Sequence, residues 1–556
     1  MGEEQRRAIA YFSMEFAFNK EIPNYAGGLG VLAADMMHSC ADLGTPAVGV
    51  SLIYHQDDDP TQAWDPSPFM RKREETVKIT IEDRTVHIAI WQMDITGTSG
   101  HVVPIIFLST YVPENTDWDR DITRHIYSSH GYTRLCQEAV LGIGGYRALK
   151  KLGYDKVTCY HMNEGHTAFV GIERLRTNAY NEEKVRNTQT FTTHTPVPAG
   201  HDYFDYDMAY QTIGAMLPSN IRDIATHDRL GMTQLAMNLA KKTNSVSERH
   251  NEVCHQMFPE HQFENVTNGI YHLRWAGDAM AQIFDKHIAG WRENPGLLRE
   301  APSRLPNEAL RNATQVEKRA LMGWINSNHE FLSLPEIVDD DLFQEDVLTI
   351  GFARRFVPYK RPGLIFTDID ELRRIGYRKL QIIIASRCHP QDAFCNNLRS
   401  TIRDYSRAMR GQVRIAVIPH YDLGVAKRLV TGVDVWLNTP VSSREASGTS
   451  GMKAALNGAL NLSTLDGWWI EGLRREPLSG WGFEGAGPEQ EPHGRDVSDA
   501  QKLYAELKKA ITCYTTAPDE WLERKKHAIA LMDFFNTHRV INEYKERVWC
   551  CSRDKE

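Results

Sequence analysis

The chain alternates short apolar runs with longer segments of helical periodicity, most clearly after residue 345. Four runs predict buried strands, DVLTIGFARRF, KLQIIIASRC, GQVRIAVIPH and GVDVWLNTP, and residues 394–409 and 423–431 between them predict helices. Strands that alternate with helices in this way form a parallel sheet covered by helices. The pattern therefore predicts a doubly wound α/β domain in the second half of the chain.

The first half repeats this pattern more loosely, in the runs TPAVGVSLIY, VHIAIWQM, VVPIIFLST, VTCYHMNEG and NTQTFTTHTP. Within residues 133–153, apolar side chains recur every three or four positions, which predicts an amphipathic helix. Each glycine in a helix costs ~1 kcal/mol relative to alanine. The Gly144-Gly145 pair in this predicted helix therefore indicates close packing against another backbone. A second doubly wound domain is expected here.

The length of the chain agrees with two domains, because 556 residues exceed the roughly 250–300 residues that one core can serve. Polar, weakly patterned sequence at 285–340 is the best candidate for the join, and we expect domains at 1–335 and 336–556. The sequence is helical again beyond residue 500, and it leaves open whether these last helices return to the first domain. Two such domains facing a central cleft would place the carboxyl ends of both sheets around it, where open α/β sheets bind ligands.

Composition excludes several classes of partner. The 64 basic and 72 acidic residues give a net charge of −8 without a basic block, so we expect no nucleic acid partner. Nine scattered cysteines show no metal-like spacing, which favours a reducing compartment. No stretch approaches the ~18 apolar residues of a membrane span, and MGEEQRRAIAYFSMEF lacks a signal-peptide core. A cytoplasmic protein without a metal is expected.

The stretch REASGTSGMKAALNG at 444–458 combines a loop of small residues after a strand with the start of a helix. That geometry binds anions through backbone N–H groups and the helix dipole. A lysine at the same place, Lys453, is unfavourable by up to ~1 kcal/mol unless its charge is used. Linkage as an imine to an aldehyde cofactor that carries a phosphate would explain it. A solvated lysine on an exposed turn is the alternative.

Two further turns are candidates for binding phosphate or a cofactor. NYAGGLGVLAADMM contains Gly27, Gly28 and Gly30, and glycine permits positive φ and close approach of a ligand to the backbone. A simple tight turn is the alternative. GFARRFVPYKRP follows a strand and contains four cations within eight residues: Arg354, Arg355, Lys360 and Arg361. Such a cluster suits phosphate, although a solvated basic turn has the same composition.

Three turns carry polar groups suited to a sugar. HMNEGH supplies Asn163, Glu164 and His166, FTTHTPVPAGH supplies His194, and ENVTNG supplies Asn268. The spacing within HMNEGH does not match the i, i+4 ligands of a helical zinc motif. Each histidine alone is equally consistent with a hydrogen-bonded structural residue.

Taken together and in order, these segments resemble the α-glucan phosphorylases, the pyridoxal-phosphate-dependent family that includes glycogen phosphorylase. The resemblance is to its shorter bacterial and archaeal branch and runs from about residue 11 to about 480. It rests on FSMEFAFNKEIPNYAGGLGVLAADMMHSCADLG, HMNEGHTAF, FTTHTPVPAGHD, FARRFVPYKRP, GVDVWLNTP and EASGTSGMKAALNGALNLSTLDGWW. It implies an α/β fold of two Rossmann-like doubly wound domains facing a central cleft, the GT-B-type glycosyltransferase fold.

The resemblance also implies a role for each matching residue. Lys453 matches the lysine that forms the imine with pyridoxal 5'-phosphate. The positions around the cofactor phosphate correspond to Gly28, Arg354, Thr449, Ser450 and Gly451. The position near the cofactor ring corresponds to Tyr421. The family residues that hold the substrate phosphate correspond to Arg355 and Lys360. Those that contact the sugar correspond to His194, Asn268 and Glu445. The loop that lines the glucan approach corresponds to Asn163, Glu164 and His166.

The reaction implied by the resemblance is reversible phosphorolysis with retention. Inorganic phosphate takes the terminal glucose of an α-1,4-glucan or maltodextrin and gives α-glucose 1-phosphate. In this family the cofactor works through its phosphate, which lies against the substrate phosphate, so a proton can reach the glycosidic oxygen. Arg355, Lys360, His194 and Lys453 are the expected catalytic residues.

Some positions depart from the family pattern. Arg387 replaces a usual lysine, the loop at 57–68 is short, and YSSHGYTRLCQE differs from the usual motif. Little sequence precedes the first shared motif, so we expect no phosphorylation switch of the animal type. A sugar-nucleotide-dependent transferase and an inactive glucan-binding homologue are the alternative functions, and homo-oligomer formation stays open.

Overall fold

The computed structural model describes residues 8–55, 63–334, 336–386, 388 and 392–549. The chain folds into two compact units. The first unit comprises the described residues of 1–246, 251–266 and 537–556, and the second comprises Ser247–His250 and Thr267–Asn536. The predicted boundary at 335/336 lies inside the second unit, and residues 537–549 belong to the first.

The strands follow the predicted apolar runs and add others, among them the eleven-residue strand Arg71–Ile81 and several short strands. In chain order they are β1 (Ile9–Phe12), β2 (Ala47–Leu52), β3 (Arg71–Ile81), β4 (Arg84–Thr96), β5 (Val102–Ser109), β6 (Cys159–Asn163), β7 (Gln189–Thr192), β8 (Tyr203–Phe204), β9 (Leu230–Gly231), β10 (Lys242–Ser245), β11 (Glu264–Asn265), β12 (Leu348–Ala353), β13 (Leu380–Ala385), β14 (Arg414–Ile418), β15 (Val435–Asn438), β16 (Leu460–Thr464) and β17 (Gly480–Phe483).

The α-helices lie mostly between the strands. They are α1 (Gly28–Asp42), α2 (Asp117–Arg120), α3 (Gly131–Ala139), α4 (Gly145–Lys151), α5 (Phe169–Thr177), α6 (Glu182–Arg186), α7 (Tyr206–Ile213), α8 (Ile221–Ile224), α9 (Met232–Asn238), α10 (Glu248–Met257), α11 (His272–Trp275), α12 (Asp278–His287), α13 (Ala301–Arg304), α14 (Asn307–Ser327), α15 (Ile369–Gly376), α16 (Ala393–Ala408), α17 (Leu423–Gly432), α18 (Thr449–Leu456), α19 (Trp468–Arg475), α20 (Pro492–Thr516), α21 (Pro518–Ala530) and α22 (Thr537–Glu543).

The first unit is built on a nine-stranded sheet in the order β11-β10-β7-β6-β1-β2-β5-β4-β3. The pairs β3/β4 and β4/β5 are antiparallel and the other pairs are parallel. Successive side chains of β1 enter opposite faces, Ala10 and Phe12 into one hydrophobic core and Ile9 and Tyr11 into the other. The sheet is therefore buried on both faces at β1, whereas β3 at its antiparallel edge alternates exposed and buried residues.

The predicted helix at 133–153 is present as α3 and α4, joined by a π-helical turn at Val140–Gly144. A Cβ on Gly142 would lie 2.5 Å from the backbone nitrogen of Val170. At Gly144 and Gly145 the close neighbours are instead side chains of the sheet. The close approach to another backbone therefore occurs at Gly142, and not at the predicted Gly144 and Gly145.

The second unit holds a six-stranded, wholly parallel sheet in the order β14-β13-β12-β15-β16-β17. This is the doubly wound order, in which the chain starts at β12, moves outward to β14, and returns beyond β12 to β15. Leu503, Leu507 and Ile511 of α20 are buried, as the periodicity predicts. The α/β fold class is thus confirmed in both units.

The segment at 285–340 is not a join between the units. It contains α14, a 21-residue helix whose Leu310, Leu321 and Ile325 are buried within the second unit. Its apolar residues are diluted by charged ones, and this made the segment look weakly patterned in the sequence.

A disulfide that the sequence did not predict joins Cys388 and Cys395, whose Cα atoms are 5.5 Å apart. Cys395 lies in the first turn of α16, so the bridge closes the connection that follows β13. Five other cysteines of the described ranges are buried and form no disulfide: Cys40, Cys136, Cys159, Cys254 and Cys513.

None of the helices in the described ranges is both long enough and apolar enough to cross a membrane.

A buried ion pair fixes α14 to the sheet of the second unit. Lys318 Nζ lies 2.5 Å from Asp434 Oδ2 and donates to the carbonyl of Val347, and the two charged side chains are 6% and 7% exposed. Truncating one partner of such a pair leaves an uncompensated buried charge.

We therefore expect Lys318→Ala to lower the free energy of unfolding by about 3–5 kcal/mol, measured by urea denaturation. The matched control is Arg319→Ala, which removes the solvent-exposed pair with Glu345 and should change little. Equal effects of the two substitutions would contradict this account.

Candidate active site

The sheet of the second unit has its topological switch point between β12 and β15, which are neighbours although their connections run to opposite sides. Open α/β sheets bind ligands at the carboxyl edge of such a pair. Arg354 follows β12 directly, and Glu445 lies in the loop that follows β15. Two of the predicted residues are therefore placed where the topology expects a ligand.

These residues form a buried ionic network. Arg354 Nη2 donates to Glu445 Oε2, and Lys360 Nζ lies 4.0 Å from Glu445 Oε1. The side chains of Arg354, Lys360 and Glu445 are only 8%, 14% and 13% exposed. Arg355 is exposed beside them. The structure thus brings together four of the predicted residues.

The pKa values of Lys360 and Glu445 are shifted by burial and by the charges of their neighbours in the network. Burial lowers the pKa of Lys360 to about 7, and the charges of Arg354 and Arg355 act in the same direction against Glu445. Burial alone would raise the pKa of Glu445, but Arg354 and Lys360 hold it below its usual value. Three cationic side chains thus surround one carboxylate.

Only part of the Arg354 guanidinium is hydrogen-bonded to the protein. Among the described residues its Nε and Nη1 atoms are buried without a hydrogen-bond partner. Buried donors of a charged group are costly when unsatisfied, so an anion bound here would complete the site. A phosphate group has the charge and the oxygen geometry that such a guanidinium binds.

Arg361 does not join this cluster, although it is one of the four cations of this loop. Its guanidinium contacts Asp499 and Asp496 of α20 and the carbonyls of Thr439 and Pro440. Its backbone has φ 45°, a left-handed conformation that turns the chain after Lys360. Arg361 therefore shapes the loop that carries Lys360.

Lys453 lies in α18, which begins at Thr449 after Gly448, whose φ is 89°. The sequence placed this lysine at the helix N-terminus, but the helix starts earlier and Lys453 is in its second turn. Its side chain is 6% exposed, and Nζ lies 4.3 Å from the ring centroid of Trp275. The lysine is therefore buried against an indole, and the solvated alternative is wrong.

The first turn of α18 is formed by Thr449, Ser450 and Gly451. No side chain caps this turn, because the preceding residue is Gly448. Trp436 of β15 donates its indole N–H to Ser450 Oγ at 3.1 Å. A Cβ on Gly451 would overlap Asn461 Oδ1, so only glycine fits there. The predicted small residues thus allow the helix start to pack on the sheet.

Two other predicted residues of this unit lie on loops. Tyr421 is half-buried between β14 and α17. Asn268 is buried next to Thr267, whose hydroxyl donates to Glu471 of α19.

In the first unit, β1 lies between β2 and β6, so this sheet has a switch point at β1/β6. Asn163 ends β6, and its amide nitrogen donates to Ser13 Oγ just after β1 at 3.1 Å. Its Oδ1 accepts from His194 Nε2 at 2.8 Å. Glu164, at φ 76°, accepts from the backbone N–H of His194 and the hydroxyl of Thr195. Asn163, Glu164 and His194 therefore form one cluster.

His166 lies in the same loop and is buried. Burial, with the charge of Arg134, lowers its pKa to about 3, so the ring is neutral at ordinary pH. Within the described part of the chain, its Nε2 has no hydrogen-bond partner. A hydroxyl-bearing ligand would suit this nitrogen.

The Gly-rich turn lies at the start of α1. Gly27 is extended at φ −166°, and Gly28 and Gly30 are helical, so none of these glycines adopts the positive φ that the residue type permits. Glu15 Oε2 accepts from the N–H groups of Ala26 and Gly27, and a Cβ on Gly30 would lie 2.9 Å from Glu15. Around Gly28 a Cβ would meet open space.

The sequence did not single out three residues that shape these sites: Glu15, Trp275 and Asp466. Glu15 and Asp466 lie within FSMEF and LSTLDGWW, so their presence in quoted motifs was the available signal. Trp275 lies outside every quoted motif, and only the fold brings it to Lys453.

Arg387 and residues 57–62 of the short loop at 57–68 lie outside the described residues. Across the ranges that the structure describes, no group of three or more His, Cys, Asp or Glu side chains could hold a metal ion.

Comparison with known proteins gives consistent similarities. A family model described as carbohydrate phosphorylase matches residues 210–476. Maltodextrin phosphorylase of Thermococcus litoralis is 33% identical over 97% of this chain and 70% of its own length. Glycogen phosphorylase of Aquifex aeolicus is 30% identical over 97% and 85%, respectively. An uncharacterized protein of Methanocaldococcus jannaschii is 30% identical over 98% of this chain and its whole length.

The network predicts pH-dependent binding of oxyanions. Sulfate keeps its double charge across the neutral range, so only protein groups titrate. Lys360 loses its charge as the pH rises through about 7, and we expect the affinity for sulfate to fall by up to roughly tenfold across this range.

Titration calorimetry at several pH values measures this effect. Lys360→Arg, which stays charged, should remove most of the pH dependence. A wild-type affinity that does not change with pH would contradict the assignment.

Proposed function

The chain belongs to the carbohydrate phosphorylase family, and on this premise we propose that it catalyses the reversible phosphorolysis of α-1,4-glucans. A phosphate oxygen bonds to C1 of the terminal glucose while the bond from C1 to the glycosidic oxygen breaks. That oxygen takes up a proton, and the products are α-glucose 1-phosphate and a shortened glucan. The observation that carries this proposal is the buried Arg354, Lys360 and Glu445 network with its two unsatisfied guanidinium donors.

We assign the substrate phosphate to Arg355 and Lys360. Arg355 is exposed and follows Arg354, so an incoming ion can reach it. Binding of a dianion raises the pKa of Lys360 from about 7, and the bound state then keeps the lysine charged. Preorganised cations of this kind also stabilise the charge that develops as the glycosidic bond breaks.

The residues of the second unit fit pyridoxal 5'-phosphate as the cofactor. Lys453 is a buried amine against Trp275, and Arg354 has unsatisfied donors for an anion. Around the cofactor we place Arg354, Tyr421, Thr449, Ser450 and Gly451, and Gly28 on the resemblance alone. When bound through Lys453, the cofactor supplies a phosphate that exchanges a proton with the substrate phosphate.

We assign the sugar to Glu445, Asn268 and His194. The pKa of Glu445 is held low by its cationic partners, so its carboxylate is an acceptor for sugar hydroxyls. His194 is oriented by Asn163 and Glu164. Neutral His166 presents an unsatisfied Nε2, and with Asn163 and Glu164 we place it along the glucan approach.

We further propose that the first unit carries the residues of the glucan approach and that the second carries Lys453, which holds the cofactor. A cytoplasmic location is part of this proposal, because five cysteines of the described ranges form no disulfide. The Cys388–Cys395 pair would be an exception in that compartment.

Reduction of the purified protein with borohydride should attach the pyridoxyl group to Lys453, and peptide mass spectrometry identifies the labelled residue. The same protein should release glucose 1-phosphate from maltodextrin only when phosphate is present. Lys453→Ala should lose both the label and the activity, whereas Lys508→Ala, an exposed lysine, should keep both.

Other outcomes separate the alternatives. Turnover that requires a sugar nucleotide, without a label, would indicate the transferase. Glucan binding without either reaction would indicate an inactive homologue. An active, cofactor-loaded Lys453→Ala protein would refute the assignment.

Arg355→Gln should raise the KM for phosphate roughly tenfold to a hundredfold, because a hydrogen bond to a charged group contributes about 1.5–3 kcal/mol. The KM for maltodextrin should change much less. Arg407→Gln, on the exposed side of α16, is the control. Equal changes in both KM values would argue against a phosphate role for Arg355.

A further inference from the structure

Asp466, in the turn between β16 and α19, is a buried carboxylate to which the proposed reaction gives no role. Its side chain is 2% exposed. Oδ2 accepts the backbone N–H groups of Arg444 at 3.1 Å and Glu445 at 2.9 Å. The carboxylate is therefore bonded to the backbone of the residue at the centre of the ionic network.

The neighbouring turn holds the same loop at a second point. The backbone N–H of Trp468 donates to the carbonyl of Ser447 at 2.9 Å. Gly467 has φ 52°, and a Cβ there would overlap that carbonyl oxygen, so only glycine permits this approach. Arg249 adds a third attachment through its hydrogen bond to Ser443 Oγ.

These attachments matter because residues 443–447 form neither helix nor strand. The loop is followed by Gly448 at φ 89°, a residue type with high conformational freedom. Glu445 must nevertheless hold one position between Arg354 and Lys360. The backbone N–H of Glu445 itself is held by the carboxylate of Asp466, and the carbonyl of the next residue, Ala446, accepts from Ser247 Oγ.

We propose that Asp466 is a positioning residue, which fixes the Glu445 backbone so that its carboxylate meets Arg354 and Lys360. This inference rests on the proposed function for its effect on catalysis. The geometric part, that Asp466 sets the place of Glu445, holds independently of the reaction.

The electrostatics agree with close coupling between the two carboxylates. Burial raises the pKa of Asp466 to about 7, and the charge of Glu445 acts in the same direction. The N–H of Glu445 and the charge of Arg249 act in the opposite direction. Asparagine keeps the accepting oxygen and removes the charge, so Asp466→Asn separates hydrogen bonding from charge.

The test compares Asp466→Ala and Asp466→Asn with the wild-type holoenzyme. Asp341→Asn is the matched control, because Asp341 is also a buried carboxylate that accepts a backbone N–H. It pairs with Arg410, near the amino end of β14 and away from the carboxyl edge. Phosphorolysis kinetics, cofactor content and crystal structures are measured for each protein.

We expect Asp466→Ala to lower kcat/KM by roughly a hundredfold, the effect of a misplacement of about 1 Å, with unchanged cofactor content. Asp466→Asn should restore activity to within a few fold of wild type, and Asp341→Asn should match wild type. In the Asp466→Ala crystal structure, the Glu445 carboxylate should be displaced from Arg354. Asp466→Ser, too short to reach the two N–H groups, replaces the alanine variant if that variant does not fold.

An unchanged contact between Glu445 and Arg354 in the alanine or serine variant would overturn the proposal. So would an asparagine variant as impaired as the alanine variant. If the wild-type protein shows no phosphorolysis, the proposed function fails, but the crystal structures still decide whether Asp466 positions Glu445.

Discussion

The second unit depends on one electrostatic arrangement, a buried carboxylate that faces three cations at the carboxyl edge of a parallel sheet. Glu445 is bonded to Arg354 and lies 4.0 Å from Lys360, with Arg355 beside them. One buried carboxylate faces two buried cationic side chains and the exposed Arg355, so the site carries an excess of positive charge that a counter-ion would balance. Burial lowers the pKa of Lys360, and the charges of Arg354 and Arg355 add to this effect. A phosphate dianion would restore the balance and recharge the lysine.

The surrounding fold supplies the rigidity that this arrangement needs. The switch point places the ends of β12 and β15 side by side, so residues distant in sequence meet without long loops. Gly451 lets α18 start against Asn461, and this places Lys453 against Trp275. Arg361 ties the turn that carries Lys360 to α20. Asp466 holds the loop that carries Glu445. Residues outside the ionic network thus determine the positions of its charged groups.

Much of this could be predicted from the sequence, because strands buried on both faces leave strong apolar runs. The four runs after residue 345 correspond to β12 to β15, and the helices at 394–409 and 423–431 correspond to α16 and α17. Short strands such as β1 and β11 leave too little pattern to be recognised. The boundary between the units could not be predicted, because the return of residues 537–549 depends on long-range packing of Tyr544 and Trp549. The cations at 354–361 and Lys453 could be recognised from sequence motifs. The contact of Trp275 with Lys453 and the pairing of Arg361 with α20 arise only from the fold.

The central claim is that the unsatisfied donors of Arg354 and the amine of Lys360 are built for phosphate groups. A crystal structure of the pyridoxal-phosphate-loaded protein with orthophosphate tests this most directly. The account predicts a phosphate oxygen within hydrogen-bond distance of Arg354 Nε or Nη1, a second phosphate beside Lys360, and Glu445 unmoved. Phosphate groups bound elsewhere, with the guanidinium of Arg354 satisfied by water or by other protein groups, would contradict it.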